Sequence, residues 1–502
     1  MQKKQKKYSI PNVLTKVCNF VQNYYKPRSI KIKMKKLIPI LLIVLIVYIV
    51  IGAVFPFLHQ PVISKETEHS IYKSQYTGDD TTGERAYILS DNGEALEERI
   101  RMISQAEERI LLSTFEFRAD ESGKIILAAL HSAAERGVQI QLLVDGVAEL
   151  TKMKGNEYFY ALSSHENAEI RIYNPISLLR PWSIMGRLHD KYLIADDKLY
   201  ILGGRNTYDY FLGNQAGYKN YDWDVLVYNE ETDQGESMKQ LLAYFTDIWN
   251  LPECKVFYNS ERIGKKDSVK QATEELITIY RNMQQEHPEW FQTIDYYRKT
   301  ESVNHIQLVS NPTTRYAKEP IVFYTITQLM QNAKEEVVFH TPYIICNDWM
   351  LEELAEVSRV VPKVTMLTNS VANNGNPFGA MDYQDNKEKI LDTGIQILEY
   401  DGGISYHGKC FVIDKNLSAI GSFNWDMRST YIDTELMLII DSEAINKSLR
   451  EAMGVYEERS LIVTGKDDYI IPDGMVPQKI SKKRERRIKV IRVIGKLFRF
   501  LM

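Results

Sequence analysis

The stretch HDKYLIADDKLYILGGRN at residues 189–206 recurs in altered form as HGKCFVIDKNLSAIGSFN at residues 407–424. In both copies the histidine precedes a lysine by two residues, an aspartate by seven and an asparagine by seventeen. A single pattern of this kind is weak evidence. Two copies with equal internal spacing indicate a duplicated unit that carries a functional site.

Strand and helix patterns precede each copy in the same order. Before the first copy, Arg109–Phe117 predicts a strand, Ser122–Arg136 an amphipathic helix and Val138–Val144 a strand. The corresponding elements before the second copy are Glu336–Ile345, Met350–Val360 and Lys363–Thr368, followed by a helix at Gln384–Asp392 and a strand at Gln396–Tyr400. This alternation predicts an α/β fold made of two repeated units.

The repeats divide the body of the chain. We expect a first domain over residues 85–250, a second over residues 305–460 and a charged helical linker at 251–304. The linker holds several aromatic residues, which we expect to pack between the two halves: Tyr280, Trp290, Phe291, Tyr296 and Tyr297.

The residue types of each copy suit a phosphodiester. On a strand, His189 and Lys191 project to the same face, a glycine pair allows close approach to a ligand, and Asn206 supplies an amide donor. The second copy offers the same groups in His407, Lys409 and Asn424. If the halves face each other, one histidine can attack phosphorus while the other protonates the leaving alkoxide, and the cations stabilise the added negative charge.

A carboxylate follows each copy, at positions that the sequence suggests are equivalent: Asp224 in DWDVLV and Glu435 in DTELML. A carboxylate that accepts a hydrogen bond from the far ring nitrogen fixes the histidine tautomer and raises its basicity. We expect Asp224 and Glu435 to orient the histidines; the alternative is a solvated strand position.

The composition argues against a metal site and against a disulfide framework. Lysine is not a usual ligand, and no Cys or His pair has zinc spacing, so we expect no metal and no cofactor. The chain holds four cysteines in 502 residues, too few for a disulfide scaffold.

An uncharged run at residues 37–58 is long enough to cross a bilayer as a helix, and a buried core helix is the alternative. The preceding residues 1–36 carry 11 Lys/Arg and no acid. The distribution of basic residues predicts a single-pass protein with a cytoplasmic N-terminus and an extracytoplasmic body.

The C-terminal residues 479–502 hold 10 Lys/Arg and one acid, and their spacing predicts a basic amphipathic helix. Such a helix lies in an anionic membrane interface, or else packs on the body. Between the two basic ends, residues 37–478 carry 41 bases and 65 acids. An acidic body repels phosphate backbones, so we expect a membrane and an anionic phospholipid as partners and no nucleic acid.

At these residues the sequence resembles the phospholipase D superfamily, whose mark is two HxKxxxxD motifs followed by GSxN. The resemblance covers residues 85–460 and implies two α/β/α sandwich domains whose motifs meet at their interface, with a phosphohistidine formed without a metal. It implies that His189 is the nucleophile and His407 the acid and then the base. It further implies phosphate binding by Lys191, Lys409, Asn206 and Asn424, with Ser422 and Gly204 beside them, and places Asp196 and Asp414 as the motif aspartates, for which we expect a structural part.

Several stretches are similar to the bacterial cardiolipin synthase branch of that superfamily. They are GGRN with Asp209 after it, DVLV at 224–227, TPYI at 341–344, LTNSVANN at 367–374 and GSFNWDMRS at 421–429. Gly204 departs from the general motif, which has Ser there. The resemblance implies a membrane-anchored phosphatidyltransferase that makes cardiolipin from phosphatidylglycerol. The alternatives are a hydrolytic phospholipase D that releases phosphatidic acid, a nuclease of the same superfamily and a binding protein with a decayed site.

Overall fold

The computed structural model describes residues 34–79, 82–229, 235–258 and 261–502. The basic leader predicted at 1–36 therefore lies almost wholly outside the described residues. Residues up to Ile51 form one unit, and Gly52–Met502 form another. A helix occupies Met34–Val54. Among the described residues, Pro39–Phe57 is the helical stretch long and apolar enough to span a membrane, with a mean hydropathy of 3.0.

Each half of the body is built on its own mixed sheet. The first sheet has the strand order Glu301–Ser302, Glu84–Leu89, Asp224–Asn229, Leu199–Gly203, Tyr192–Ala195, Arg109–Thr114, Gln139–Asp145, Ala168–Tyr173 and Lys255–Val256. The second has the order His305–Ser310, Leu436–Asp441, Leu417–Gly421, Cys410–Ile413, Glu336–His340, Lys363–Asn369, Gln396–Tyr400, Ser460–Val463 and Tyr469–Ile470.

The two sheets share one topology. In the first, Arg109–Thr114 pairs in parallel with Gln139–Asp145 and antiparallel with Tyr192–Ala195. In the second, Glu336–His340 pairs in the same way with Lys363–Asn369 and Cys410–Ile413. The predicted duplicated α/β fold is confirmed, and helices join the parallel strands, as such connections require.

The helices begin at side-chain caps that the sequence supplies. Asp120 accepts a hydrogen bond from the Gly123 N–H at the start of one helix, and Asn347 accepts one from the Met350 N–H at another. The longer helices of the body are Asn92–Gln105, Glu121–Glu135, Glu236–Trp249, Asp267–Glu286, Ile321–Gln331, Asp348–Val360, Pro377–Leu391, Glu443–Glu457 and Lys482–Leu497.

Strand alternation divides the buried apolar residues into an outer core for each half and a central core between the sheets. Leu111 faces the central core, while Ile110 and Leu112 on either side of it face the outer core of the first half. The central core also takes side chains from Glu236–Trp249 and Glu443–Glu457. The two halves therefore share one buried apolar layer, which fixes their mutual orientation.

The linker packs on the first half. Its helix Asp267–Glu286 buries Val269, Ala272 and Leu276 in the outer core of that half. Trp290 and Tyr296 contribute to the same core. The expectation that the linker aromatics pack between the halves is wrong, because the central core is already filled by other helices.

The tail helix Lys482–Leu497 packs on the body, which is the second of the two alternatives. Ile488 is buried against Ala380 and Met381, and Arg499 Nε lies 2.6 Å from Asp382 Oδ1. The opposite face of this helix leaves apolar side chains exposed, namely those of Val490, Val493 and Leu497. One face of the helix is therefore occupied by protein, and the other is open to its surroundings.

Candidate active site

Each motif is built on a two-stranded hairpin. Tyr192–Ala195 pairs antiparallel with Leu199–Gly203, and Cys410–Ile413 pairs with Leu417–Gly421 in the same way. The histidine and lysine of each motif come directly before the first strand rather than on it. Gly203 and Gly421 end the second strands, so the histidine, the lysine and the Gly-x-x-Asn turn meet at one end of each hairpin.

The two hairpin ends are tied together by short pairings between the halves. Leu188 forms a parallel bridge with Thr434, whose hydroxyl accepts the His189 N–H at 3.1 Å. In the reciprocal contact, Ser405–Tyr406 pairs with Asn220–Tyr221. Each histidine is therefore held next to a strand end of the opposite half.

The His189 ring is held by the second half. Its Nδ1 lies 2.8 Å from Glu435 Oε1, whose side chain is fully buried. Hydroxyl groups of Ser422 and Ser429 also donate to this carboxylate. Phe115 packs edge-on against the ring at 5.5 Å between centroids. Burial raises the pKa of Glu435 to about 8, against the lowering influence of Lys191. In its ionised form Glu435 accepts the Nδ1–H, and Nε2 then keeps a free lone pair.

The His407 ring is held by the first half. Its Nδ1 lies 2.6 Å from Asp222 Oδ2, and Phe211 packs edge-on at 5.0 Å between centroids. Lys409 Nζ donates to the His407 carbonyl oxygen at 2.5 Å and lies 3.8 Å from Asp222 Oδ2. Lys409 Nζ also lies 2.9 Å from His407 Nδ1. Each histidine thus has its Nδ1 against a carboxylate of the other half.

The prediction for Asp224 is wrong, because Asp222 takes that place. Asp224 Oδ2 lies 2.8 Å from Arg99 Nη2 and 3.3 Å from Arg205 Nη1, in a fully buried ion cluster. The sheet register explains the error: Gly203 pairs with Asp224, whereas the equivalent Gly421 pairs with Met437.

By that register, Asp222 corresponds to Glu435, two residues from the position that the sequence favoured. The connection from Asn206 to Asp222 is sixteen residues and that from Asn424 to Glu435 is eleven, so counting along the chain does not align them.

Gly204 and Ser422 differ because the two carboxylates differ. A Cβ atom on residue 204 would lie 2.2 Å from Asp222 Oδ1, so glycine is required for the carboxylate to fit. In the second half the longer Glu435 side chain leaves room for Ser422, whose hydroxyl donates to it. The departure from the general motif therefore accommodates a shorter acid.

Two buried lysines supply positive charge. Burial lowers the pKa of Lys191 to about 7, although Glu435 raises it. Burial also lowers the pKa of Lys409, against Asp222. Lys191 Nζ donates to the His189 carbonyl oxygen. An anion between these lysines would raise both pKa values, so the site favours a negatively charged ligand.

Burial disfavours the charged form of both histidines. Burial lowers the pKa of His189 well below its usual value, and Lys191 and Lys409 lower it further. Burial and Lys409 lower the pKa of His407 to about 4, against the raising influence of Asp222. Burial favours the neutral form of Asp222 too, but Lys409 and His407 hold its pKa below the usual value.

The two asparagines lie at the turns beside the histidines, and both are buried. Asn206 Oδ1 accepts the Glu116 N–H at 3.2 Å, which leaves its amide NH₂ as the end available to a ligand. Asn424 Nδ2 lies 3.4 Å from Ser429 Oγ, and its Oδ1 has no hydrogen-bond partner in the described part of the chain. Phosphate binding by these residues stays a prediction.

Each motif aspartate comes directly after the first strand of its hairpin, at the opposite end of that strand from the histidine. Asp196 Oδ1 accepts the N–H groups of Glu108 and Arg109, both at 2.9 Å. Asp414 accepts those of three residues, the nearest being Glu335 at 2.8 Å. Both occupy left-handed backbone, with φ of 50° and 51°. The motif groups them with the catalytic histidines and lysines, but their hydrogen bonds to backbone N–H groups fit the structural part expected of them.

Two residues near the site escaped sequence reasoning. Asp222 could have been considered from the sequence, since it lies two residues before Asp224 in the same DWD triplet. No sequence pattern distinguishes Lys318, because it is a lone lysine in a loop. It is buried, and its Nζ has no hydrogen-bond partner among the described residues. Burial lowers its pKa to about 8, against Asp433.

Paired histidines with buried lysines, on a duplicated α/β scaffold, define a class of enzymes that transfer phosphodiester groups. The chain belongs to the phospholipase D superfamily: it matches the family described as "Cardiolipin synthase, PLD-like domain" over residues 99–249 and 326–454. The predicted superfamily and its cardiolipin synthase-like branch are confirmed, as is the prediction of an enzyme.

Curated relatives and a solved structure are similar to this chain. Cardiolipin synthase C of Escherichia coli (strain K12) is 26% identical over 410 residues, 72% of this chain and 82% of that protein. A cardiolipin synthase of Clostridium perfringens (strain SM101 / Type A) is 27% identical over 375 residues, 72% of this chain and 68% of that protein. The crystal structure of phosphatidylserine synthase from Haemophilus influenzae Rd KW20 shares the fold, with a TM-score of 0.62 at 13% identity, covering 88% of this chain and 100% of that one.

Proposed function

We propose that the protein is a cardiolipin synthase that transfers a phosphatidyl group from one phosphatidylglycerol to another through a phosphohistidine. One observation carries the proposal. The Nδ1 atoms of His189 and His407 are both bound by buried carboxylates of the opposite half, so that both Nε2 atoms are free for chemistry.

In the first step, His189 Nε2 attacks the phosphorus of the donor lipid, and the bond from phosphorus to the glycerol headgroup oxygen breaks. That oxygen takes a proton from His407 and leaves as glycerol. His407 must hold a proton at this point. The entry of an anionic phosphate opposes the lowering of its pKa by burial and Lys409, and thereby prepares it as the acid.

In the second step, a hydroxyl of the acceptor phosphatidylglycerol gives its proton to His407 Nε2 as its oxygen attacks phosphorus. The phosphorus–nitrogen bond to His189 breaks, cardiolipin forms, and His407 is again protonated. The number of protons and bonds is conserved over the two steps, so the reaction needs no co-reactant.

The remaining residues of the site stabilise charge. Lys191 and Lys409 are buried, so their electrostatic interaction with the phosphoryl oxygens is stronger than it would be in water. The amides of Asn206 and Asn424 would donate to the same oxygens. Asp222 favours a charged His407, which supports His407 as the acid and His189 as the nucleophile.

A lipid substrate fits the apolar helix at Pro39–Phe57, which would anchor the enzyme in the bilayer. The excess of basic residues before this helix supports a cytoplasmic N-terminus and an extracytoplasmic catalytic body. Protease protection of the body in right-side-out cells or vesicles would contradict this orientation.

The test is lipid product analysis with the full-length protein in mixed vesicles that contain headgroup-labelled phosphatidylglycerol. Cardiolipin and free glycerol in equal amounts are expected. Phosphatidic acid without cardiolipin would mean that water is the acceptor and that the enzyme is a phospholipase. His189→Ala and His407→Ala should each abolish turnover, while His287→Ala, a change at a half-buried histidine of the linker, should leave it intact.

A further inference from the structure

A cleft of about 540 Å³ is lined by the start of the tail helix and by residues shortly before the second histidine, outside the groups used so far. The residues that line it include three basic residues, two tyrosines, two asparagines and two serines. They are Lys483, Arg484, Arg487, Tyr210, Tyr218, Asn373, Asn374, Ser405 and Ser481. No Asp or Glu is among its lining residues in the described part of the chain. The cleft is therefore positively charged and rich in hydrogen-bonding groups.

The cations come from the first turns of the tail helix Lys482–Leu497. Arg484 Nη1 donates to the Ala372 carbonyl oxygen at 2.7 Å, while its Nε is buried without a hydrogen-bond partner among the described residues. Lys483 and Arg487 are exposed, and neither has a carboxylate partner within the described ranges. Three cations around one cleft, with no carboxylate among its lining residues in the described ranges, give it a positive potential that attracts anions.

A second cleft on the same helix shows that this excess of charge is local. Arg492 on the helix and Arg499 just beyond its end face carboxylates of the second half, with Arg492 Nε 3.0 Å from Asp385 Oδ1 and Arg499 Nε 2.6 Å from Asp382 Oδ1. Those cations attach the helix to the body. The three at its start have no such partners.

The residues that line the cleft are close to His407 in sequence and are linked to it by side-chain contacts. Ser405 lies two residues before His407, about 7 Å along an extended chain. Tyr218 OH donates to Asn220 at 3.1 Å, on the strand that pairs with Ser405. Phe211, next to Tyr210, is the residue that packs on the His407 ring. An anion in the cleft would lie beside the general acid and base rather than between the two histidines.

We propose that this cleft binds the phosphate group of the acceptor phospholipid during the second transfer step. This inference rests on the proposed function. The donor phosphate must occupy the space beside Lys191 and Lys409, whereas an acceptor phosphatidylglycerol carries its own phosphate one glycerol unit away from the attacking hydroxyl. The cations bind that phosphate, and the tyrosine, asparagine and serine groups receive the glycerol hydroxyls.

A partition experiment separates the second step from the first. The wild-type enzyme is incubated with labelled phosphatidylglycerol in phosphatidylcholine vesicles, with ethanol added. Phosphatidylglycerol and ethanol then compete for the same phosphohistidine, which yields either cardiolipin or phosphatidylethanol. The ratio of these products depends on the acceptor step alone, because both form from the same intermediate and its rate of formation cancels in the ratio. Ethanol carries no phosphate and therefore does not need the cleft.

The double variant Lys483→Gln/Arg487→Gln removes two cleft charges. The control, Lys482→Gln/Arg486→Gln, removes the same charge from the same helix at residues that do not line the cleft. We expect the ratio of cardiolipin to phosphatidylethanol to fall at least about tenfold in the first variant and to stay unchanged in the control. Phosphatidylethanol formation should not fall in either variant.

Three results would overturn the proposal. An unchanged ratio in the cleft variant would show that the cleft does not bind the acceptor, and equal losses in both variants would show only a general attraction to an anionic surface. If inorganic phosphate at constant ionic strength altered total turnover of wild type but not of the cleft variant, with the ratio constant, the ligand would be free phosphate. Phosphatidylethanol without any cardiolipin from wild type would instead refute the proposed function itself.

Discussion

Replacing Asp222 by Asn should impair catalysis without unfolding the protein. The asparagine fills the same space, but it removes the negative charge that lies 2.6 Å from His407 Nδ1 and 3.8 Å from Lys409 Nζ. A neutral partner no longer opposes the lowering of the His407 pKa by burial, and it no longer fixes the ring tautomer. His407 would then be a poor acid in the first step.

The size of the effect follows from the geometry. Two unit charges about 4 Å apart interact by about 4 kcal/mol at an effective dielectric constant of about 20. If that interaction stabilises the protonated histidine in the transition state, its loss lowers kcat by about a thousandfold. This lies within the contribution of about 10²–10⁴ that general acid–base catalysis makes.

Asp224→Asn is the matched comparison, since it makes the same chemical change two residues away. It should leave Arg99 and Arg205 without their buried carboxylate and lower the free energy of unfolding by about 3–5 kcal/mol. The kcat of the protein that remains folded, and its dependence on pH, should stay those of wild type.

The assay is cardiolipin formation in mixed micelles, with thermal unfolding of the same samples. Loss of kcat in Asp222→Asn at unchanged unfolding temperature is the expected result. The reasoning fails if Asp222→Asn keeps more than about a tenth of wild-type kcat, or if Asp224→Asn lowers kcat as strongly while remaining folded.

Three further predictions concern the same hairpins. Gly204→Ser places a Cβ 2.2 Å from Asp222 Oδ1 and should lower kcat at least about a hundredfold, whereas the reverse change Ser422→Gly should cost less than about tenfold in the same assay. Asp414→Ala removes an acceptor of three backbone N–H groups and should lower the free energy of unfolding in urea by about 3 kcal/mol, with kcat of the folded enzyme unchanged. The His407 pKa is about 4 in the folded protein and about 6.5 in the unfolded chain, so the folded state binds fewer protons between these pH values. The free energy of unfolding should therefore fall by about 3 kcal/mol as the pH drops from about 6.5 to about 4. The fall should be smaller in His407→Gln, which lacks this titrating group.

For the Gly204 pair, equal losses in both variants would contradict the role given to the shorter acid. For Asp414→Ala, a fall in kcat at unchanged stability would place that carboxylate in the chemistry after all. For the pH series, equal slopes in wild type and His407→Gln would show that other groups control the acid sensitivity.

The duplicated fold and the histidine–lysine pairs could be predicted because each motif lies within one hairpin. The strands that follow His189 and His407 have the same length, so equal spacing in sequence becomes equal spacing in space. The partner carboxylates could not be predicted in this way. The loop before Asp222 is longer than the loop before Glu435, and only the pairing of strands across the sheet shows which acid is equivalent.

The contact of each carboxylate with the histidine of the other half could not be predicted from one repeat either, because it depends on how the two sheets pack.

The position of the tail helix could not be predicted for a different reason. A helix with one apolar and one basic face fits a membrane surface and a protein surface equally well. Its position was decided by Asp382 and Asp385, which lie about a hundred residues earlier in the chain.

The most direct test of the phosphohistidine mechanism is to trap the covalent intermediate with a donor that needs no acid. A phosphatidyl ester of p-nitrophenol has a leaving group that departs without protonation, so His407→Ala should release one equivalent of p-nitrophenolate and then stop. Mass spectrometry of the digested protein should find the phosphatidyl group on His189, and His189→Ala should show neither burst nor adduct. An adduct on His407 in His189→Ala, or steady release from that variant without any adduct, would contradict the proposed mechanism.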